Sequence, residues 1–161
     1  NSRVYAQACQ QPALRGMGTT MVLALVANGL CTLASVGDSR VYLYREGALR
    51  QLTKDHSMVQ EMVERGMISQ QEADVHPQKN VITRAVGIQP QVAADCMQIA
   101  LHKEDMLLLC TDGLTNALRA EQIEGVLRSS SFYDSAARLI DGVLQGEAQD
   151  NATVVLLSMT E

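Results

Sequence analysis

The 161-residue sequence predicts an α+β fold, on three observations. Apolar runs are joined by two-residue turn signals, so neighbouring strands pair antiparallel. Capped amphipathic stretches fall outside those runs, so helices are segregated from strands. Three short acidic turns stand where apolar runs begin or end, which places carboxylates where strands leave a sheet.

Residues 4–11 read as a helix ended by Pro12, whose ring cannot continue it. Residues 19–27 are an almost unbroken apolar run, and 30–36 are a second. Asn28-Gly29 between them is a hairpin signal, because both residues accept positive φ. Both runs are expected to be buried. Residues 41–44 and 49–52 flank Glu46-Gly47 and read as a second hairpin. Ser57 and Gln60 read as a capping box opening a helix whose apolar stripe is Met58, Val59, Met62 and Val63; Gly66 stops it. Ser69 and Glu72 cap another short helix that stops before Pro77. The strand pattern resumes at 81–85, 92–99 and 106–110. Residues 122–128 and 131–145 are amphipathic helices. In the latter, Ala136, Leu139, Ile140, Val143 and Leu144 face inward and Gly146 is the stop. Residues 153–158 close the fold as a strand.

Hydrophobic residues make up 47% of the chain, enough for one globular domain spanning 1–161. Aromatics are only 3%, so Leu, Val, Ile, Ala and Met must fill the core. The net charge of −5, without a Lys/Arg cluster, argues against nucleic acid and against an anionic membrane surface. No apolar run reaches the ~18 residues of a membrane span, and no signal peptide is visible, so a cytoplasmic location is expected. Cys9, Cys31, Cys96 and Cys110 have no C-x-x-C spacing; Cys31 and Cys110 lie in apolar runs and read as reduced core thiols.

The acidic turns are Val36-Gly37-Asp38-Ser39-Arg40, Cys110-Thr111-Asp112-Gly113-Leu114 and Gln149-Asp150-Asn151-Ala152-Thr153. Gathered carboxylates suit a hard divalent cation such as Mg²⁺ or Mn²⁺. Zinc would want Cys or His ligands that are missing nearby. Asp-Gly and Asp-Asn are also plain turn formers, and spacing alone leaves both readings open. Asp38 stands equally between a turn residue paired with Arg40 and a metal ligand. Thr19 and Thr20 read as structural. His56 reads as a cap-adjacent histidine satisfied by Asp55, with proton donation to a leaving alkoxide as the alternative. His76 reads as a turn residue and His102 as solvent-exposed.

Five motifs in one order carry a resemblance: Gly18-Thr19-Thr20, Gly37-Asp38-Ser39-Arg40-Val41-Tyr42, Ile82-Thr83-Arg84-Ala85-Val86-Gly87, Thr111-Asp112-Gly113-Leu114 and Asp150-Asn151-Ala152-Thr153. The chain from about Gly16 onward resembles the metal-dependent protein serine/threonine phosphatases, the PPM or protein phosphatase 2C family, in bacterial form. The resemblance implies an αββα four-layer sandwich, two antiparallel sheets with outer helices. It implies Mn²⁺ or Mg²⁺ as cofactor, two ions and a third in bacterial members, activating water against phosphoserine and phosphothreonine. Asp112 would bind one metal and Asp150 another, and Asp38 would share a third with Asp112. No further catalytic residue is implied. Asn151 would hydrogen-bond around Asp150 and fix its rotamer, and Gly113 would let the backbone turn tightly beside the ion. The segment from Ser57 to Asn80 matches the variable flap beside the family's active site, where Met58, Met62 and Met67 are core packing or a substrate contact. Phosphoproteins would be the substrates and a bacterial Ser/Thr kinase the counterpart.

A family domain opens with an Arg-containing strand ending in Asn-Glu-Asp, then an Asp-Gly-Met-Gly-Gly turn. Neither is among the 161 residues. The sequence therefore reads as the C-terminal two-thirds of a domain, N-terminally truncated and poorly active alone. A non-catalytic regulatory or interaction module is the alternative.

Overall fold

The computed structural model describes residues 1–146 and 150–159. The elements are α1 (Ser2–Gln10), a 3-10 turn at Pro12–Leu14, β1 (Met21–Ala27), β2 (Leu30–Val36), β3 (Arg40–Arg45), β4 (Ala48–Gln51), α2 (Met58–Glu64) and α3 (Gln70–Asp74). There follow β5 (Asp95–Ala100), β6 (Met106–Cys110), α4 (Asp112–Ala117), α5 (Ala120–Ser129), α6 (Phe132–Gln145) and β7 (Val154–Ser158). The strands form a three-stranded sheet, β1-β2-β5, and a four-stranded sheet, β4-β3-β6-β7. This is the α+β class with two antiparallel sheets that the sequence predicts.

Both hairpins form as expected. Asn28 (φ +51) and Gly29 (φ +73) turn β1 into β2, and Glu46 (φ +53) and Gly47 (φ +82) turn β3 into β4. Positive φ at both central residues matches the right-handed twist of the flanking strands.

The chain divides into two compact units: Asn1–Leu23, Leu33–Asp38 and Lys54–Met97 form the first; Ala24–Thr32, Ser39–Thr53 and 98 onward form the second. In the second unit, α4, α5 and α6 supply Leu114, Ile123, Leu127, Leu139 and Val143 to a core shared with Tyr42, Leu108 and Cys110. Leu114, Ile123, Leu139 and Leu108 are fully buried, so branched aliphatics carry this core. Arg45 of β3 grips Asp105 with two hydrogen bonds, Nε to Oδ1 at 2.9 Å and Nη2 to Oδ2 at 2.7 Å. In the first unit, α2 and α3 carry the side-chain caps expected at Ser57 and Ser69, and Gly66 (φ +68) ends α2.

Five expectations need correction. β1 is not buried: Met21, Leu23 and Leu25 are 42%, 46% and 62% exposed, because the strand offers only its Val22 and Ala24 face to packing. Residues 81–85 form no strand; Ile82 makes an isolated bridge to Ser57, and the next bridge, Val86 to Thr19, goes to a different partner, so no ladder builds. Gln60 does not complete a capping box, since its amide turns to Glu64 instead of back to Ser57. Leu144 is 69% exposed, because α6 buries a narrower stripe of Ser135, Leu139 and Val143. Asp112-Gly113-Leu114 does not form a turn but opens α4.

Candidate metal centre

β6 and β7 run antiparallel, and their ladder ends with Cys110 opposite Val154. The next residues out, Thr111 and Thr153, latch the two chains together. Thr111 N–H donates to the Thr153 carbonyl at 3.2 Å. Thr153 N–H donates to Thr111 Oγ1 at 3.0 Å, and the same hydroxyl donates to the Asn151 carbonyl at 3.5 Å. Beyond them the chain carries Asp112 immediately after Thr111 on one side and Asp150, three residues before Thr153, on the other.

Gly113 sets how close they come. A Cβ there would sit 2.3 Å from the Asn151 carbonyl oxygen, 2.8 Å from its carbon and 3.1 Å from Ala152 Cα. All three are backbone atoms, so only glycine admits this approach. The expected reason was a tight turn. The observed one is that the main chain of residues 151–152 packs against the first turn of α4.

Asp112 is the first residue of α4, with Thr111 as its N-cap, and is half-buried. A carboxylate there faces the positive end of the helix dipole. Asp150 is exposed, and its Oδ1 accepts the Asn151 backbone N–H at 2.7 Å. Asn151 therefore bears on Asp150 through its main-chain amide. Gln149, the first residue of this turn motif, lies outside the described residues.

The residue types fit a hard divalent cation in kind: Asp112 and Asp150 both lie just past one end of the β6–β7 ladder, and hard ions take oxygen ligands. The set is partial. Among the described residues, no group of three or more His, Cys, Asp or Glu is gathered to hold a metal ion.

Asp38 belongs to the first unit, half-buried just after β2. The preceding Gly37 (φ +101) has Thr20 Cγ2 at 2.4 Å from its Cβ position. Thr19 Oγ1 donates to the Thr20 carbonyl at 3.0 Å, a structural backbone contact. In the second unit, Arg40 Nη1 donates to the Tyr42 hydroxyl at 3.1 Å, a structural contact.

His56 is only 6% exposed, and the partner expected for it was Asp55. Its ring instead reaches Asp95: Nε2 lies 3.1 Å from Asp95 Oδ2, while Arg84 Nη1 donates to Oδ1 at 2.7 Å. These bonds, from His56 first and Arg84 second, hold the Asp95 carboxyl below the usual carboxylate range. Nothing local in the sequence signals a partner so far along the chain. His76 Nδ1 accepts the Gln78 N–H in a turn, and His102 is exposed, both as expected. Cys31 and Cys110 are buried free thiols; burial pushes the Cys31 thiol up.

The protein phosphatase 2C family model matches residues 4–153. The chain belongs to the protein phosphatase 2C family. A serine/threonine phosphatase of Listeria welshimeri is 40% identical over 158 residues, covering 98% of this chain and 63% of the relative. The serine/threonine protein phosphatase PstP of Mycobacterium tuberculosis is 40% identical over 161 residues, covering all of this chain and 31% of the relative. Among solved structures, the Staphylococcus aureus serine/threonine phosphatase Stp1 superposes with a TM-score of 0.94 at 35% identity, over 99% of this chain and 63% of that one. The catalytic domain of a PstP, solved in complex with two manganese ions, gives 0.90 at 37% identity, over 99% and 66%. The chain thus spans about 63% of the length of the Listeria serine/threonine phosphatase. Among the described residues, no helix is long and apolar enough to cross a membrane.

Proposed function

We propose that this chain is the larger part of a protein serine/threonine phosphatase domain that hydrolyses phosphoserine and phosphothreonine with Mn²⁺ or Mg²⁺. The observation carrying the reading is the latch at Thr111 and Thr153. With Gly113 it holds the first turn of α4, which begins at Asp112, against the main chain that follows Asp150. Family membership and the manganese-bound PstP relative support it.

In this reading Asp112 and Asp150 would hold divalent ions through their carboxylate oxygens. Thr111 and Gly113 keep the start of α4 against residues 151–153, and the Asn151 amide steadies Asp150. Asp38, in the first unit, is a further ligand candidate on the strength of its motif position. When bound, the ions would supply Lewis acidity for activating water and offsetting oxyanion charge. The segment 57–80 serves as the flap next to substrate, phosphoproteins marked by a bacterial Ser/Thr kinase are the substrates, and the work is cytoplasmic signalling. Two carboxylates are fewer oxygens than a two-ion site takes, so the chain alone is a poor catalyst.

The test is Mn²⁺-dependent hydrolysis of a phosphothreonine peptide, by this chain and by a form extended upstream in its reading frame. The extended form should turn over and this chain should be slower by a hundredfold or more, since lost positioning and charge stabilisation each raise the barrier by several kcal/mol. Asp112→Asn or Asp150→Asn in the extended form should abolish most of the activity. Comparable turnover by both lengths would mean the centre lies elsewhere. Activity in neither would favour a non-catalytic module.

A further inference from the structure

We infer that His56 is a positioning residue for the Gly37-Asp38 turn, acting through a neutral ring whose proton Asp95 fixes on Nε2. The inference rests on the reading of Asp38 as a ligand. Its local basis lies wholly within the first unit.

Three polar groups of His56 are committed to backbone. Its N–H donates to the Gly37 carbonyl at 2.9 Å, and its carbonyl accepts the Thr83 N–H at 2.8 Å. Its Nδ1 lies 3.0 Å from the Gly37 nitrogen in a buried contact. A backbone amide can only donate, so Nδ1 must be the unprotonated acceptor. The ring proton is then on Nε2, facing Asp95 Oδ2 at 3.1 Å. Arg84 Nη1 also lies 3.0 Å from Nε2. Two donors cannot bond each other, so both point at the Asp95 carboxylate, whose Oδ1 takes Arg84 at 2.7 Å. The opposite tautomer would press a ring N–H against the Gly37 N–H and leave Asp95 Oδ2 without the ring's proton.

The consequence falls on Asp38. Gly37 is held on both polar sides by one histidine, and Thr20 occupies its Cβ position at 2.4 Å. The residue that follows therefore leaves a main chain with little freedom to rotate. Ordering a ligand before an ion arrives lowers the entropy lost on binding.

Two substitutions separate this role from simple packing. In His56→Asn the amide oxygen falls near the Nδ1 position and can accept the Gly37 N–H. In His56→Gln the amide reaches toward the Nε2 position and cannot. Ring-nitrogen NMR of the unaltered chain should show Nε2 protonated, with a scalar coupling across the bond from Gly37 nitrogen to Nδ1. The Gly37 amide should exchange within about threefold of the parent in the Asn variant. In the Gln variant it should exchange about tenfold faster, the value of a buried hydrogen bond. Mn²⁺ should broaden the Asp38 amide in the parent and the Asn variant, and need about tenfold more metal in the Gln variant. A proton on Nδ1, or equal Gly37 exchange in folded Asn and Gln variants, would overturn the inference. Should either variant fail to fold, the tautomer and coupling in the unaltered chain decide alone. An Asp38 amide untouched by Mn²⁺ in the parent would overturn the ligand reading, and with it the functional meaning of the turn. Gly37 exchange would still report on the histidine.

Discussion

Replacing Gly113 by alanine is the sharpest perturbation of the proposed centre. The added Cβ would lie 2.3 Å from the Asn151 carbonyl oxygen, where ordinary contact begins at 3.4 Å. The turn must then retreat by about 1 Å, and backbone yields less readily than a side-chain tip. That movement also breaks the bond from the Thr111 hydroxyl to the Asn151 carbonyl, already 3.5 Å long. Overpacking costs about 1–3 kcal/mol and the lost hydrogen bond about 1 kcal/mol. A total near 3 kcal/mol corresponds to a drop in Tm of about 6–12 °C for a chain of this size. Calorimetry measures the stability, and Mn²⁺ titration should show at least tenfold weaker binding, because Asp150 moves with its turn. Gly125→Ala is the control: Gly125 lies inside α5 with nothing within 4 Å of its Cβ position. Alanine there should stabilise by about 0.5–1 kcal/mol through helix propensity. A Gly113→Ala chain as stable as the parent would refute the close approach. A destabilised one with unchanged Mn²⁺ affinity would refute its link to the ion site.

Two further predictions test the frame around the site. Asp105 is 2% exposed, and the hydrogen bonds of Arg45 hold its carboxyl below the usual range. Its stabilisation is therefore present above the unfolded value of ~4 and fades as pH falls through the lower folded value. Asp105→Asn should cost about 2 kcal/mol at neutral pH and flatten the acid limb of a Tm-versus-pH curve; an unchanged limb would mean the pair contributes nothing. Amides in 57–80 should exchange at least tenfold faster than those of β2, because Val59 and Ala73 are the buried apolar residues of this stretch while Met67 and Val75 are 64% and 81% exposed; equal protection would deny the segment the mobility a flap requires.

Much of this architecture was legible because its signals are local. Asn28-Gly29 and Glu46-Gly47 announce positive φ within two residues, and Ser57 and Ser69 announce caps within four. The two aspartates of the second unit stand out as ligand candidates for the same local reason, each next to an apolar run. What stayed hidden depends on residues far apart. Arg45 meets Asp105 across 60 positions, and no periodicity reports such a pair. Helix α4 was hidden by its own composition: Thr111-Asp112-Gly113 reads as a turn, and the six-residue helix exists because Leu114 is driven into the core. The exposure of β1 was hidden too, since an unbroken apolar run looks the same whether one face is covered or both.

The glycines next to the aspartates carry one further step. Gly113 follows Asp112 and meets backbone at 2.3 Å; Gly37 precedes Asp38 and meets Thr20 at 2.4 Å. In both, the missing side chain lets neighbouring atoms press against the main chain next to a carboxylate. Gly16, Gly47 and Gly66 have positive φ and nothing within 4 Å, so they serve only to turn the chain. Glycine thus has two separable uses in this sequence, and only the contact-bound kind stands next to a ligand candidate. An aspartate has two rotatable side-chain bonds, and immobilising the backbone that bears it removes the remaining large freedom before an ion binds. The Gly113→Ala and Gly125→Ala pair separates these two uses directly, because both add the same methyl group to a helical glycine and only one should move an aspartate.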